Sequence, residues 1–199
     1  MTRRSLLIGA GGAAVSPAAV RAKGRRPGKT VAVIGAGVFG AWTAHHLQQR
    51  GAKVTLVDAF GPANSKASSG GESRVTRAAY GKDDIYTRMA RDSLPQWQAL
   101  SEVSGLPIFL PAGVLFFFPE EQEYLAQSVA AHKKLGLPSE LLDQRAMQQR
   151  FPMIDFTGSK LGLLEPGFGA LMARRAVQTL VERFVKAGGD YRQIGRAHV

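Results

Sequence analysis

The chain has no cysteine and few histidines, and both shortages narrow the chemistry open to it. Without cysteine it can form no disulfide, no thiolate metal site and no thiol nucleophile. His45 and His46 are neighbours on a predicted helix and therefore point in different directions, while His132 and His198 each stand alone. The sequence therefore predicts no metal site, and we expect all four histidines to have structural roles.

Acidic residues are missing from the first 57 positions, and this gap explains most of the net charge of +11. Asp58 is the first acid, whereas the first thirty residues hold seven cations: Arg3, Arg4, Arg21, Lys23, Arg25, Arg26 and Lys29. The rest of the chain is mildly basic and has no Lys/Arg stripe interleaved with aromatic residues. Nucleic acid is therefore not an expected partner.

A long hydrophobic run is also missing, so we expect no stable membrane span. Instead, Thr2-Arg3-Arg4-Ser5-Leu6-Leu7 opens a weakly apolar Gly/Ala-rich stretch, with a small-residue cleavage site at Val20-Arg21-Ala22. Paired arginines before two leucines are typical of a twin-arginine signal, which exports folded proteins. We interpret residues 1–28 as the signal peptide and linker of an exported, periplasmic bacterial protein. The alternative is an ordinary basic, disordered tail.

The glycines include a G-x-G-x-x-G loop formed by Gly35, Gly37 and Gly40. Residues 31–34 are β-branched or small, as in a buried parallel strand, and a helix is predicted over 38–50. The first glycine permits a tight turn, the second lets backbone approach a phosphate, and the third lets helix and strand pack closely. This order favours a dinucleotide-binding loop over a chance cluster of glycines.

Asp58 ends the next predicted strand, "KVTLVD", about twenty residues beyond the loop. A carboxylate at this position accepts hydrogen bonds from the adenosine ribose, and it disfavours the 2′-phosphate of NADP. The loop and the acid together predict an α/β domain that binds an adenine dinucleotide. They do not separate FAD from NAD.

The polar segment from Gly61 to Gly81 favours FAD, because an NAD domain would normally enter another helix promptly. Within it, Ser68, Ser69, Gly70 and Gly71 are small enough to approach phosphate or ring atoms. Arg74 and Arg77 lie three residues apart, and a helical turn would place both on one side. Two guanidinium groups there suggest contact with a flavin edge and an anionic substrate. The alternative is that both arginines are plain surface residues.

Two stretches, "GAGVFGAWTAHHLQQRGAKVTLVDAF" and "SSGGESRVTRAAYG", resemble the FAD-dependent amine oxidoreductases of the D-amino acid oxidase superfamily. The resemblance is strongest to the branch of monomeric sarcosine oxidase and N-methyltryptophan oxidase. It continues in order through "PAGVLFFFP", "LLDQRAMQQRFP" and "LEPGFGALMARRAVQTLVERFVKAGGDY", and so covers about residues 30–192.

The resemblance implies site residues by position. Those implied to contact FAD are Gly35, Gly37, Val38, Phe39, Gly40, Asp58, Ala59, Ser68, Ser69 and Arg74. Arg74 would lie against the isoalloxazine ring, and Arg77 would hold a substrate carboxylate or an ordered network near it. These two arginines are the implied catalytic residues, with the main base expected outside the chain. Where relatives have a histidine that can carry a covalent flavin link, this chain has Gly70. Because of this difference the resemblance does not define the identity of the substrate.

The chemistry implied by the resemblance is oxidation of a C–N bond in an amine or N-methyl amino acid, giving an imine. FAD accepts the electrons, and molecular oxygen or an acceptor protein reoxidises it. Two alternatives are a nicotinamide-dependent dehydrogenase and a non-catalytic dinucleotide-binding module.

Elsewhere the sequence predicts packing elements. Pro95 should kink or split the helix that Asp83-Asp84 caps, and Trp97 and Tyr86 are expected to pack rather than bind cofactor. The run Phe116–Phe118 predicts a strand in a sheet covered on both faces. For Glu165, which has no second acid near it in the pattern, we expect a turn or strand-edge role rather than catalysis.

The predicted fold class is α/β: an incomplete, three-layer Rossmann-like FAD-binding domain with part of an α+β substrate domain. Residues 29–104 and 169–193 would belong to the first domain and residues 105–168 to the second. The last residues, 194–199, resemble a translated sequencing adapter, so we expect a truncated gene product. Such a product would bind FAD weakly and turn over nothing. The alternative is a natural C-terminus.

Overall fold

The computed structural model describes residues 28–195, so the predicted signal segment and most of the predicted adapter-derived tail lie outside the described residues. The elements in chain order are β1 Thr30–Ile34, α1 Val38–Gln49, β2 Lys53–Asp58, β3 Arg74–Thr76, α2 Asp84–Ser104, β4 Phe109–Leu110, β5 Val114–Phe118, α3 Glu123–Leu135, β6 Glu140–Asp143, α4 Gln144–Arg150, β7 Leu161–Glu165, β8 Gly169–Leu171, α5 Ala173–Lys186 and β9 Asp190–Gln193. This order of strands and helices confirms the predicted α/β class.

The first sheet is parallel, and β2 lies between β1 and β9. Helices α1 and α5 contact each other and cover one face of this sheet. Burial of each large apolar side chain there contributes roughly 1.5–3 kcal/mol. The residues buried in this interface include Ala41, Ala44, Leu56, Val177, Leu180 and Phe184.

The opposite face of the parallel sheet is open. Along β1, Thr30, Ala32 and Ile34 are exposed while the alternating residues are partly buried, and Ile34 is 87% exposed. Side chains of a strand alternate between faces, so the exposed set marks one whole side of β1. The third layer of the predicted domain is therefore not among residues 28–195.

Gly40 sets the distance between α1 and β1. A Cβ at this position would overlap the carbonyl oxygen of Gly35 and reach the side chain of Val33. The first turn of α1 can therefore lie against the end of β1 only because position 40 has no side chain, as the sequence predicted.

Two short antiparallel sheets complete the fold, with strand orders β3-β8-β4 and β5-β7-β6. A second apolar cluster forms on the latter sheet, where Leu163 of β7 and Leu125 of α3 pack with Ala79. Asp143 caps the N-terminus of α4, because its Oδ1 accepts a hydrogen bond from Ala146 N at 2.7 Å.

Two packing expectations, for Pro95 and for the aromatic residues of α2, hold only in part. Helix α2 is continuous through Pro95, so the proline does not split it. Trp97 is buried and packs edge-on against Trp42, as expected, but Tyr86 is largely exposed and only contacts the ring of Tyr80.

The phenylalanine run also departs from its prediction on one face. Phe116 and Phe118 pack against the second apolar cluster, whereas Phe117 is 49% exposed and touches the edge of Phe156. Helix α3 covers one face of the β5-β7-β6 sheet, and the other face has only partial cover.

Glu165 is fully buried at the end of β7, the central strand of its sheet, so the strand-edge half of its prediction is wrong. The turn half is confirmed, because the chain turns directly after it and its carbonyl accepts from Phe168 N at 3.3 Å. Both carboxylate oxygens accept from Ala78 N at 3.1 Å, and Oε1 lies 3.0 Å from Nε2 of His132, which is 1% exposed. In the part of the chain that the structure describes, neither ring nitrogen of His132 has a well-oriented hydrogen-bond partner. The carboxylate therefore joins the segment after β3 to helix α3.

The backbone of residues 78–81 is also bonded by three side chains from two helices, α2 and α3. Thr87 Oγ1 donates to Ala78 O at 2.8 Å, and Tyr124 Oη donates to Ala79 O at 2.6 Å. Gly81 N donates to Ser128 Oγ at 2.9 Å. Since buried backbone groups without partners are costly, these side chains fix the path of a segment that belongs to no strand.

We predict that Gly40→Ala lowers the free energy of unfolding by about 2–3 kcal/mol, because the new methyl group must displace the carbonyl of Gly35. Urea unfolding followed by tryptophan fluorescence measures the change. Gly167→Ala is the matched control: a Cβ there meets nothing within 4 Å, so its effect should stay within about 0.5 kcal/mol. Equal effects of the two substitutions would contradict the close-packing role.

Glu165→Gln should lower the free energy of unfolding by about 2–4 kcal/mol, because it removes the negative charge facing His132 and one of two acceptors facing Ala78 N. The control is Glu140→Gln on the surface, where the partner is Arg150 and the loss should stay below about 1 kcal/mol. The same urea experiment compares them. A loss at position 165 no larger than at position 140 would disprove the structural role of the buried carboxylate.

Candidate dinucleotide-binding site

The glycine loop opens onto free space at the end of β1. Gly35 has a φ of +101°, which side chains rarely adopt, and its N donates to Val57 O at 2.7 Å. A Cβ at Gly35 or at Gly37 would meet no atom within 4 Å in the described residues. Gly37 is the N-cap of α1 and adds no side-chain hydrogen bond, so the first-turn N–H groups are available to an anion.

Asp58 organises this loop from the neighbouring strand. Its Oδ2 accepts from Ala36 N at 2.8 Å, and its Oδ1 accepts from Phe60 N at 2.7 Å and from Gly61 N at 2.9 Å. A carboxylate has about four lone-pair sites, so three bonds leave capacity for a ribose hydroxyl. The ribose contact stays a prediction, as does any cofactor contact of the half-buried Ala59 that follows.

A cavity of about 450 Å³ brings together five predicted residues from both sequence segments. They are Val38, Phe39, Ser68, Ser69 and Arg74. Trp97, Leu171 and Ala176 supply apolar walls, and Phe39 at the first turn of α1 is 85% exposed. A mostly apolar cleft with a few polar groups is the usual form of a cofactor site.

Ser69 offers this cavity an unused polar group. Its Oγ is buried and has no hydrogen-bond partner among residues 28–195, whereas Ser68 is exposed. Buried hydroxyls are normally bonded, so an orphan hydroxyl beside a cavity fits a site that a polar ligand completes. The open glycine loop and this hydroxyl together fit a dinucleotide.

Steric packing explains why position 70 is occupied by glycine. A Cβ there would overlap the carbonyl oxygen of Asn64, so the loop in this conformation has no room for the histidine that relatives of the predicted family have. The sequence predicts no covalent flavin link at this position, and the packing gives the reason.

The two arginines do not lie on one side, so the predicted helical turn is wrong. Arg74 begins the extended strand β3, and Arg77 follows directly after the end of that strand, so no helical turn joins the two. Its guanidinium donates to Ser73 O at 2.8 Å and to Ser68 O, and it lines the cavity. Arg77 is half-buried instead and packs toward the β5-β7-β6 sheet.

Arg77 is held in a network of aromatic and polar groups. Its guanidinium lies 4.2 Å from the ring centre of Tyr80 and 5.7 Å from that of Phe116. It also donates to Ala79 O and, at 3.2 Å, to Tyr124 Oη. Arg77 therefore does not have the position of a plain surface residue, whereas Arg74 is exposed at the edge of the cavity.

In the parallel-sheet region, burial is the main cause of the shifted pKa values of two side chains, Tyr191 and His45. Burial, followed by the negative charge of Asp58, raises the pKa of Tyr191 on β9, so its phenol stays neutral at physiological pH. Burial, followed by the charges of His46 and Arg183, lowers the pKa of His45. Both shifts have desolvation as their main cause.

Neither a membrane-spanning helix nor a metal-binding cluster is found in residues 28–195. None of the helices there has both the length and the apolar character that crossing a membrane requires. No group of three or more His, Cys, Asp or Glu side chains is arranged to hold a metal ion in that part of the chain.

Sequence reasoning missed three residues that shape the site. Glu165 and His132 anchor the segment after β3, and Arg174 of α5 bonds the carbonyl of Gly70. Their partners lie from 33 to 104 positions away. A pattern of neighbouring residues carries no signal for such pairs.

Curated relatives match most of this chain but a minor part of their own length. The peroxisomal sarcosine oxidase of Mus musculus is 34% identical over 157 residues, which are 79% of this chain and 40% of the relative. The monomeric sarcosine oxidase of Bacillus sp. (strain B-0618) is 32% identical over 153 residues, which are 76% and 39%. The chain thus spans about two fifths of the length of these relatives.

The fold is similar to a solved structure of an L-proline dehydrogenase from P. horikoshii, with a TM-score of 0.72 and 22% identity over 83% of this chain and 44% of that one. A family model described as "FAD dependent oxidoreductase" matches residues 30–194. These matches, with those to N-methyl-L-tryptophan oxidases, confirm the predicted resemblance and the predicted cofactor, FAD. The chain belongs to the FAD dependent oxidoreductase family.

Proposed function

We propose that this chain forms the FAD-binding part of an oxidoreductase that oxidises a C–N bond of an amine or N-methyl amino acid to an imine. The observation that carries the proposal is the cavity at which Val38 and Phe39 of α1 meet Ser68, Ser69 and Arg74. Similarity to sarcosine oxidases supports the substrate class.

The dinucleotide would be held by groups at the end of the parallel sheet. The N–H groups at the start of α1 and the open space at Gly35 and Gly37 suit the pyrophosphate, and Asp58 suits the ribose. Ser69, with its orphan hydroxyl, and Arg74 would lie on the flavin side. FAD, when bound, accepts the hydride equivalent from the carbon next to the substrate nitrogen.

Arg74 supplies a fixed positive charge beside the cavity, which favours a negatively charged reduced cofactor. Arg77 contributes to an ordered network instead of lying free for a ligand, since Tyr80, Tyr124 and Ala79 already contact its guanidinium. In the proposed enzyme this network would border the substrate side of the site, and molecular oxygen or another electron acceptor would be the final oxidant.

The proposal includes a limit on the 199 residues by themselves: they bind FAD weakly and do not turn over substrate. The exposure of two apolar side chains supports this limit. Ile34 ends β1 and Phe39 lies in the first turn of α1, and both side chains are almost fully exposed next to the glycine loop. Apolar groups in contact with water beside a cofactor site indicate that one wall of the site is absent from the described residues.

The test is titration of FAD with the purified chain, followed by flavin fluorescence. We expect saturable FAD binding that excess NAD⁺ does not displace, and no bleaching of the flavin when sarcosine is added anaerobically. Asp58→Asn should weaken FAD binding about tenfold, because it removes a charged acceptor from the loop. Asp155→Asn, at an exposed loop carboxylate, is the control.

Displacement of FAD by NAD⁺ at comparable concentration would favour the dehydrogenase alternative instead, which the family match does not favour. Bleaching by sarcosine would disprove the proposed limit on the isolated chain while supporting the proposed chemistry.

We also propose that the protein is exported through a twin-arginine signal, on the evidence of Arg3 and Arg4 before Leu6 and Leu7. Replacing both arginines by lysine keeps the charge but removes the paired motif. We expect the double variant to remain in the cytoplasm while the unchanged chain reaches the periplasm, as measured by fractionation of a bacterial host. The control variant is Arg25→Lys with Arg26→Lys, outside the motif. Equal export of both variants would count against this route.

A further inference from the structure

The side chain of Arg174 forms hydrogen bonds to the loop of residues 59–73, which contains Ser68 and Ser69. It lies in the first turn of α5, and its Nε and Nη2 both donate to Gly70 O, at 3.1 and 2.7 Å. The same guanidinium lies 3.2 Å from Oε1 of Glu72. The planar fork of an arginine suits such a double contact because its N–H groups diverge at a fixed angle.

The loop that Arg174 holds has little regular structure of its own. Residues 59–73 contain turns and bends but no strand or helix. Gly70 N bonds within the loop to Ala67 O at 2.9 Å, and the Gly70 carbonyl accepts from Arg174, 104 positions later in the chain. A loop held by few bonds depends strongly on each of them.

The orphan hydroxyl of Ser69 is adjacent to this connection. Ser69 lines the cavity that Ala173 and Ala176, the neighbours of Arg174 on α5, also line. The carbonyl held by Arg174 belongs to the very next residue, Gly70. The position of the Ser69 hydroxyl relative to the cavity therefore depends on the bond between α5 and Gly70.

We propose that Arg174 is a positioning residue for the flavin half of FAD. It fixes the loop so that Ser69 presents its hydroxyl to the cofactor. The ADP half is served by different groups, the β1–α1 loop and Asp58, which Arg174 does not contact. The proposal rests on the proposed function, since it takes FAD as the ligand of the cavity.

The experiment compares dissociation constants for FAD and for ADP, measured by isothermal titration calorimetry on the full chain. Arg174→Gln should weaken FAD binding about tenfold and change ADP binding less than about twofold. Arg174→Lys, which can still donate to Gly70 O, should recover part of the FAD affinity. The control is Arg175→Gln in the same turn, since Arg175 bonds Pro107 O and not the loop.

A parallel loss for FAD and ADP in Arg174→Gln would overturn the proposal, because a general structural role predicts that result. Unchanged FAD affinity would overturn it as well. Hydrogen exchange of residues 64–73 without ligand separates this proposal from the proposed function. Faster exchange in Arg174→Gln than in Arg175→Gln supports the connection, and equal exchange disproves it, even where the unchanged chain fails to bind FAD.

Discussion

The geometry of the site depends on the contacts that the buried carboxylate of Glu165 makes with Ala78 and His132. The carboxylate is fully buried, it receives the backbone N–H of Ala78 on both oxygens, and it faces His132 across 3.0 Å. Burying a charge is costly unless partners compensate, so this group is tolerable only while the segment after β3 and helix α3 keep their positions. The carboxylate thereby fixes where the chain passes from the cavity to the second sheet, directly after Arg77.

The conformation of the glycine loop depends on a steric constraint instead. Gly40 and Gly35 touch so closely that no side chain fits at position 40, and Asp58 ties the same loop to the adjacent strand through Ala36. In a parallel sheet the carboxyl ends of the strands share one edge, and ligands bind there. The loop of residues 59–73, which contains Ser69, is held at this edge by a different contact. Arg174 of α5 donates to Gly70 O and so keeps the loop near the start of that helix.

This difference explains which features the sequence could predict. The strand, loop, helix and second strand around Gly35 follow from local spacing and were predicted within a residue or so, with Asp58 at the strand end. The helical turn for Arg74 and Arg77 was wrong, because strand β3 exists only through pairing with β8. Local spacing gives no information on that pairing. The partners of Glu165, His132 and Arg174 were not predicted for the same reason: each of these residues acts through a residue far along the chain.

The site lies between two apolar cores, and one segment of the chain, residues 74–81, connects them. Trp97, Leu171 and Ala176, which line the cavity, belong to the core under the parallel sheet, whereas Phe116, beside Arg77, packs on the other core. Residues 74–81 pass from one core to the other, held by β3 pairing at one end and by Glu165 and Ser128 at the other. The segment that carries both arginines is therefore bound to both cores, which keeps Arg74 on the side of the cavity and Arg77 on the side of the second sheet.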